Sequence, residues 1–156
     1  MVLSGEKWGI FMLTGEYTHS IDEKGRIIIP SKIRSLIGNN IIITRGMDGC
    51  LFGYSKESWE NLVSKLETLP FTKKDNRNFI RFFTSGAIAL EFDKQGRINI
   101  PNYLSEYANL LDDVIIIGVI NRIEIWNKEK WNNFLRDNVE SLSDISENLF
   151  ASNLDL

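Results

Sequence analysis

The sequence predicts a mainly β domain with helices, of the α+β class, built from two copies of one structural unit. The first observation is a repeat, since DEKGRIIIP at 22–30 returns as DKQGRINIP at 93–101 with six identical positions at an offset of 71. The second is that both phrases have the same predicted surroundings, in the order strand, turn, strand, helix, strand, turn, strand, helix. The third is size, because about 45 residues in short strands are too few for a separate core. We therefore expect the two units to interleave their hairpins and share one core.

The first unit opens with an alternating stretch at 14–21 that is typical of a half-buried strand. After the turn, a short apolar strand at 27–29 ends at Pro30, which can occupy the first turn of a helix. Apolar residues spaced three and four apart then predict a helix that stops at Gly38. Further strands are predicted at 41–44 and 51–54, with a turn at 47–49 between them.

Two helices are predicted between the units. Ser55 is a suitable N-cap for the first, whose apolar face includes Trp59 and which ends at Pro70. Thr72 with Asp75 resembles a capping box for the second. The core candidates of this second helix are Phe79, Ile80, Phe82 and Phe83.

The second unit repeats this order with strands at 88–92, 114–117 and 123–126. Its first helix is predicted from Leu104, Tyr107, Ala108 and Leu111, and Trp131 takes the place of Trp59 in its second. The predicted organisation is an N-terminal extension at 1–11, repeat one at 16–58, linker helices at 59–86, repeat two at 87–130, and a C-terminal helix with an acidic tail at 131–156.

Composition is that of an ordinary globular protein, with 43% hydrophobic and 25% charged residues. No apolar run of about 18 residues predicts a membrane span, and the start does not resemble a secretory signal, although Met12 is an alternative start. The net charge of −3 at first disfavours a nucleic-acid partner. However, residues 137–156 contain five acids and no Lys or Arg, so the body carries +2 and a basic patch remains possible.

The Asp-x-x-Gly-Arg turns have a structural interpretation. Asp22 and Asp93 suit the first position of a tight turn, where the carboxylate accepts hydrogen bonds from backbone N–H groups. Gly25 and Gly96 suit the left-handed residue that completes such a turn. In this interpretation the arginine that follows pairs with the aspartate and fixes the hairpin.

The same arginines also have a functional interpretation. Arg26 and Arg97 follow tight turns on a small sheet, a suitable place to reach a phosphate or the O6/N7 edge of guanine. Lys24 at the first turn can add a phosphate contact. The second turn has Gln95 there and Lys94 one position earlier, which favours the first copy as the stronger anion binder.

The two phrases resemble the double motif of the MraZ family of bacterial transcriptional regulators, in the wider AbrB/SpoVT-like swapped-hairpin group. Matching flanks lie at 15–22, 44–48, 69–75, 81–86 and 121–126, and the resemblance runs from Met12 to about Leu149. It implies a β-barrel of swapped hairpins with helices outside. It also implies a ring-shaped homo-oligomer, such as an octamer or a dodecamer.

The resemblance further implies binding to double-stranded DNA at short tandem boxes upstream of the division and cell-wall gene cluster, including the regulator's own gene. Repression is the usual outcome, and the location is the cytoplasm at the nucleoid. The DNA-contacting arginine of the family falls on Arg26, with Lys24 beside it, and Arg97 with Lys94 occupies the second copy. No cofactor, membrane or small-molecule substrate is implied, and we expect no enzymatic activity. The alternative is an antitoxin-type module that binds a protein partner.

Other residues have simpler explanations. The only histidine, His19, is expected in the wall of the core, and with one cysteine, Cys50, a zinc site is not expected. Four basic residues form either a solvated helix face or an extension of the DNA-binding surface. They are Lys73, Lys74, Arg77 and Arg81. Core or interface anchors are expected at Trp59, Trp126 and Trp131. The tail is either an amphipathic helix on a neighbouring protomer or a frayed end.

Overall fold

The computed structural model describes residues 12–151. The predicted extension at 1–11 and the last five residues of the acidic tail lie outside the described residues. The strands are β1 Glu16–Ser20, β2 Arg26–Ile28, β3 Asn40–Arg45, β4 Leu51–Tyr54, β5 Ile88–Glu91, β6 Arg97–Asn99, β7 Asp113–Gly118 and β8 Ile123–Asn127. The helices are α1 Ser31–Ile37, α2 Lys56–Leu66, α3 Lys74–Ser85, α4 Asn102–Tyr107, α5 Lys128–Asn138 and α6 Leu142–Ala151, with a 3₁₀ turn at Val139–Ser141.

The fold is α+β with antiparallel strand pairing, and strands of both repeats are interleaved within one sheet. One sheet has six strands in the order β1-β7-β8-β4-β3-β5, and a separate ribbon pairs β2 with β6. Strand β1 of the first repeat therefore pairs with β7 of the second, and β5 of the second repeat pairs with β3 of the first. This pairing is the interleaving expected from the size of the units.

The described strands do not close into a barrel, because the six-stranded ladder ends at β1 and β5. Strands β2 and β6 are three residues each and pair only with one another, apart from a single bridge between Ile21 and Ile27. Each is soon followed by proline, Pro30 or Pro101, which has no N–H to extend a ladder. The sheet and the ribbon instead face each other across an apolar core.

The core has two parts that lie on opposite faces of the six-stranded sheet. The inner part is aliphatic, and the ribbon contributes the fully buried Ile27 and Ile98 to it. The outer part is aromatic, and in it Phe83 of α3 packs against Phe52, Tyr54 and Trp59. Each unit thus contributes strands and helices to surfaces that neither could cover alone.

Several predicted helix boundaries are confirmed and others are wrong. The side chain of Ser55 caps α2 by accepting a hydrogen bond from the N–H of Ser58 at 3.1 Å, as predicted. The capping box at 72–75 is wrong, because α3 begins one residue later and has no side-chain cap. The prediction that Leu111 belongs to the helix face is also wrong, since α4 ends at Tyr107 and the chain turns through left-handed Asn109 (φ 51°).

Candidate nucleic-acid interface

The first Asp-x-x-Gly-Arg turn is closed by the carboxylate of its aspartate. Oδ1 of Asp22 accepts hydrogen bonds from the backbone N–H of Lys24 at 3.0 Å and of Arg26 at 2.9 Å. Oδ2 of Asp22 accepts from Nε of Arg26 at 2.6 Å. The N–H of Gly25 donates to the carbonyl oxygen of Asp22 at 3.0 Å, which completes the turn. One aspartate therefore fixes both the backbone and the arginine side chain.

The second turn has the same geometry. Oδ1 of Asp93 accepts from the N–H of Gln95 and from the N–H of Arg97, each at 2.9 Å. Oδ2 of Asp93 accepts from Nε of Arg97 at 2.7 Å. In both copies the aspartate thus accepts hydrogen bonds from the turn backbone and from the arginine that follows, and each arginine is oriented by its own turn.

Hydrogen bonding lowers the pKa of both turn aspartates from the ordinary value of 3.8. At Asp22 the largest cause is the backbone N–H of Arg26, and at Asp93 it is the backbone N–H of Arg97. Loss of water around each carboxylate opposes this effect, while the guanidinium group adds to it. Both carboxylates consequently stay ionised at neutral pH, where they hold the arginines in place.

Each turn is also attached to the other repeat through its glycine. Gly25 has φ 81° and Gly96 has φ 77°, in the left-handed region that favours glycine. The carbonyl oxygen of Gly25 accepts from the N–H of Ile100 at 2.8 Å, and that of Gly96 accepts from the N–H of Ile29 at 3.0 Å. A Cβ at Gly25 would lie 2.7 Å from the carbonyl oxygen of Ile100. The turns therefore sit at fixed positions at the ends of the ribbon.

The β2–β6 ribbon places both arginines on one outward face. Ile27 and Ile98 point into the core, so by alternation Arg26, Ile28, Arg97 and Asn99 share the opposite face. Arg26 lies opposite Asn99 in the ladder and Arg97 lies opposite Ile28. The two arginines are therefore diagonal neighbours, with roughly 7–8 Å between their backbones.

The guanidinium groups are oriented at Nε and remain partly exposed. The side chains of Arg26 and Arg97 are 32% and 26% exposed. Among the described residues, the hydrogen bonds of both arginine side chains are made by Nε alone. The two terminal nitrogens of each group can therefore form the planar fork that binds a phosphate or a guanine edge.

Arg34 is a cation that sequence reasoning missed at this site. Its Nε donates to the carbonyl oxygen of Ile29 at 2.9 Å. Its guanidinium group lies against Gly96, where a Cβ would come within 2.6 Å of Nη1. Only the interleaved pairing brings helix α1 of the first repeat under the turn of the second, so a search within each repeat could not find it.

The two turns differ in their neighbouring charges. Ser105 occupies the position in the second repeat that matches Arg34 in the first, and its buried hydroxyl has no hydrogen-bond partner in the described part of the chain. The first turn carries the exposed Lys24, whereas the second carries the exposed Gln95 and Lys94 and lies beside Arg34. Arg34 therefore offsets part of the charge difference predicted from the turn sequences.

The remaining candidate residues lie away from the ribbon or are buried. Cys50 is fully buried, its Sγ contacts the carbonyl oxygen of Met47 at 3.1 Å, and burial raises the pKa of its thiol. Trp126 and Trp131 pack edge to face with ring centroids 5.2 Å apart, as core anchors would. The half-buried His19 pairs with Val114 in the sheet.

The basic residues at the start of α3 and within it form no ion pair with another described residue. They are the N-cap residue Lys73 and, within the helix, Lys74, Arg77 and Arg81. Across residues 12–151, no three His, Cys, Asp or Glu side chains are grouped so that they could hold a metal ion. A search of the helices in the same range finds none that is both long and apolar enough to cross a membrane.

The fold and its paired turns define a tandem-repeat module in which two hairpin units share one core. The comparison with known proteins gives its family. A family profile described as "MraZ protein, putative antitoxin-like" matches the chain twice, at residues 12–82 and 83–153. The two matches follow one another and include nearly the whole chain, so this protein belongs to the MraZ family. Membership indicates a regulator-like or antitoxin-like module.

Proposed function

We propose that this protein is a sequence-specific DNA-binding transcriptional regulator that acts through the outward face of the β2–β6 ribbon. In this proposal it represses the division and cell-wall gene cluster that includes its own gene. It acts in the cytoplasm at the nucleoid and binds tandem promoter boxes as a ring homo-oligomer. The proposal includes no catalytic step, cofactor, membrane or small-molecule substrate.

The observation that carries the proposal is the chemistry of the ribbon face. The major groove of B-DNA admits a two-stranded β-ribbon, and arginine is the commonest reader of guanine there. Arg26 and Arg97 are held by their Nε atoms on one outward face, and their side chains remain partly exposed. Asn99 on the same face has the side-chain chemistry that pairs with adenine, and Ile28, 43% exposed, can contact a thymine methyl group.

The flanking cations supply the sequence-independent part of binding. Lys24 at the first turn, and Lys94 with Arg34 at the second, surround the ribbon and can neutralise phosphates. Each protomer then makes only a few contacts, which agrees with a net charge of −3. Several protomers of a ring that engage tandem boxes raise the affinity by multivalency.

The experiment begins with selection of bound duplexes from a random library, followed by fluorescence anisotropy at several salt concentrations. We expect Arg26→Ala to remove most specific binding and Arg97→Ala to remove less. Arg136→Ala is the matched control, because that side chain is exposed on α5 outside the ribbon. Enrichment of no sequence by the wild-type protein would contradict the proposal.

A second candidate function is an antitoxin-type module that binds a protein partner. It is favoured by the family description and by the apolar residues that α6 leaves exposed. Co-expression of this chain with a library of short neighbouring genes, read as rescue from growth arrest, tests it. Rescue that survives Arg26→Ala but is lost with Leu149→Asp would support the antitoxin over the regulator.

A further inference from the structure

A polar cleft lies between α2 and the turn that joins β7 to β8. We call it the α2 cleft, and its volume of about 580 Å³ is in the range of small-molecule sites. Its polar lining includes Tyr54, Ser58, Asn61, Lys65, Asn121 and Arg122. Neither aspartate nor glutamate is among its described lining residues. The cleft is therefore rich in hydrogen-bond donors and positive charge.

The matching space in the second repeat is bridged by a lysine. The offset that relates Trp59 to Trp131 also relates Ser58 of α2 to Lys130 of α5, and Gly49 to Asn121. Nζ of Lys130 lies against Gly49 and donates to its carbonyl oxygen at 3.5 Å. The side chain of Ser58 is too short to span the corresponding distance. Divergence of the two repeats thus opens the cleft beside α2.

Two buried hydroxyl groups line the cleft without a partner in the described part of the chain. Tyr54 is 6% exposed and Ser58 is 7% exposed, and neither hydroxyl forms a hydrogen bond with another described residue. An unpaired buried hydroxyl costs free energy, so each favours a bound group that can pair with it. Burial raises the pKa of Tyr54 to about 12, although the charge of Arg122 opposes this, so the hydroxyl can donate at neutral pH.

Arg122 is held in a fixed orientation at the cleft. Its Nε and Nη2 donate to Oε2 of Glu124 at 3.0 Å and 2.8 Å. Its Cζ lies 4.4 Å from the centroid of the Phe52 ring, a cation–π contact. Nη1 forms no hydrogen bond with another described residue. The guanidinium group therefore has one free nitrogen and loses little conformational entropy when it binds an anion.

The turn that carries Asn121 and Arg122 has a strained backbone. Ile120 has φ 65°, in the left-handed region that a β-branched residue rarely adopts. Leu13 holds it there, because the N–H of Leu13 donates to the carbonyl oxygen of Ile120 at 2.9 Å and the N–H of Ile120 donates back at 2.8 Å. Strain of this kind persists where the surroundings impose it and is concentrated at binding sites. The turn thus keeps Asn121 and Arg122 beside α2.

Lys65 supplies the excess positive charge of the cleft. Glu124 offsets the charge of Arg122, whereas the exposed Lys65 forms no ion pair with another described residue. Spacings of three and four place Lys65 on the same side of α2 as Asn61 and Ser58. One face of α2 therefore combines a free ammonium group with neutral donors.

We infer that the α2 cleft binds a small organic molecule that carries a phosphate group. A phosphate monoester has three strong acceptor oxygens, which can pair with Lys65, Nη1 of Arg122 and the hydroxyl of Tyr54. The amide groups of Asn61 and Asn121 remain to recognise the rest of the molecule. The ligand is bound without a chemical step, and its binding does not depend on the proposed DNA binding.

Titration of the full-length protein with inorganic phosphate at constant ionic strength, followed by ³¹P NMR, tests the inference. We expect saturable binding with a Kd of about 0.1–10 mM, as for a very small ligand. Lys65→Gln should weaken it by about 5-fold or more because it removes the unpaired charge. Lys56→Gln is the matched control, since that exposed lysine lies on α2 outside the cleft. Absence of saturable binding, or an equal loss in both variants, would overturn the inference.

Phosphate can also reach the arginines of the ribbon, so the two sites must be separated. Binding at the cleft should survive the double substitution Arg26→Ala with Arg97→Ala. Loss of binding in that double variant, together with retention in Lys65→Gln, would show that phosphate binds the ribbon and that the cleft is not a site.

Two further variants distinguish a ligand contact from a structural role. Tyr54→Phe should weaken phosphate binding by about 3-fold or more and keep the wild-type urea midpoint, because the hydroxyl has no described partner within the chain. Ser58→Met places a longer apolar side chain in the cleft and should remove binding. Wild-type phosphate affinity in both variants would contradict the assignment of the cleft.

Discussion

Replacing Arg26 with alanine removes the guanidinium group that the first turn presents on the ribbon face. If this group contacts a guanine or a phosphate, the loss is about 1–3 kcal/mol, or about 5- to 150-fold in affinity for one box. In a ring that engages several boxes the factor multiplies with each engaged protomer. We therefore expect specific binding to tandem boxes to fall below detection in anisotropy at physiological salt.

The same substitution should leave the fold nearly intact. The Arg26–Asp22 pair is exposed to water, with side chains 32% and 39% accessible, and exposed ion pairs contribute little to stability. The two backbone hydrogen bonds to Asp22 do not need the arginine side chain. Urea denaturation and native mass spectrometry should thus give the wild-type midpoint and assembly.

Arg97→Ala provides an internal comparison, since Arg97 makes the same Nε contact with Asp93 in the second turn. A similar stability with unequal DNA affinity would show that the loss at Arg26 concerns DNA. Wild-type affinity for Arg26→Ala would refute the assignment of the first turn. Unfolding of Arg26→Ala would instead show that this arginine serves the hairpin.

Three other predictions concern the turns. Gly25→Ala should lower the free energy of unfolding by about 1–3 kcal/mol in urea, because of its left-handed φ and the nearby oxygen of Ile100. Gly38 has φ 103° but nothing within 4 Å of an added Cβ, so Gly38→Ala should lower the free energy of unfolding less than Gly25→Ala does. An equal loss would show that the contact of the added Cβ with Ile100 does not matter. Arg34→Ala should weaken DNA binding by about 3- to 10-fold and reduce the slope of log affinity against log salt concentration by about one. Ser105→Ala is the control and should change neither quantity. Wild-type binding by Arg34→Ala would show that Arg34 is not part of the interface. Because the folded-state pKa of Asp22 and of Asp93 is lowered, their contribution to stability is complete above the ordinary value of 3.8 and is lost as pH falls through the folded-state values. Urea midpoints measured at decreasing pH should therefore show a smaller acid-dependent loss for Asp22→Asn with Asp93→Asn than for wild type, and identical pH profiles would contradict the assignment.

Most of the fold that could be predicted from the sequence followed from the repeat. Turn residues act locally, so Asp22 and Gly25 could be assigned from spacing alone, and their hydrogen bonds are as predicted. Strands could be located for the same reason, because alternation is a local pattern. Interleaving also followed from the size of each unit, although the order of strands within the sheet did not.

The parts that escaped prediction depend on contacts between distant residues. Arg34 reaches Gly96 only because the repeats exchange strands, and no local pattern encodes that proximity. Leu111 has helical spacing, but left-handed Asn109 turns the chain out of the helix before Leu111 is reached. The outward face of the ribbon could not be predicted either. Which side chains of the short strands β2 and β6 share that face is decided only when the two strands pair.

The central claim is that the ribbon reads base edges in the major groove. Its most direct test is a double-mutant cycle that combines Arg26→Ala in the protein with removal of guanine N7 in the DNA. Anisotropy is measured at low salt, where phosphate contacts keep binding by Arg26→Ala detectable. Wild type and Arg26→Ala are compared on the selected box and on the same box with each guanine replaced in turn by 7-deazaguanine. We predict that one replacement weakens the wild-type protein by about 5-fold or more and leaves Arg26→Ala unchanged. Equal losses for both proteins at every guanine would contradict base reading by Arg26.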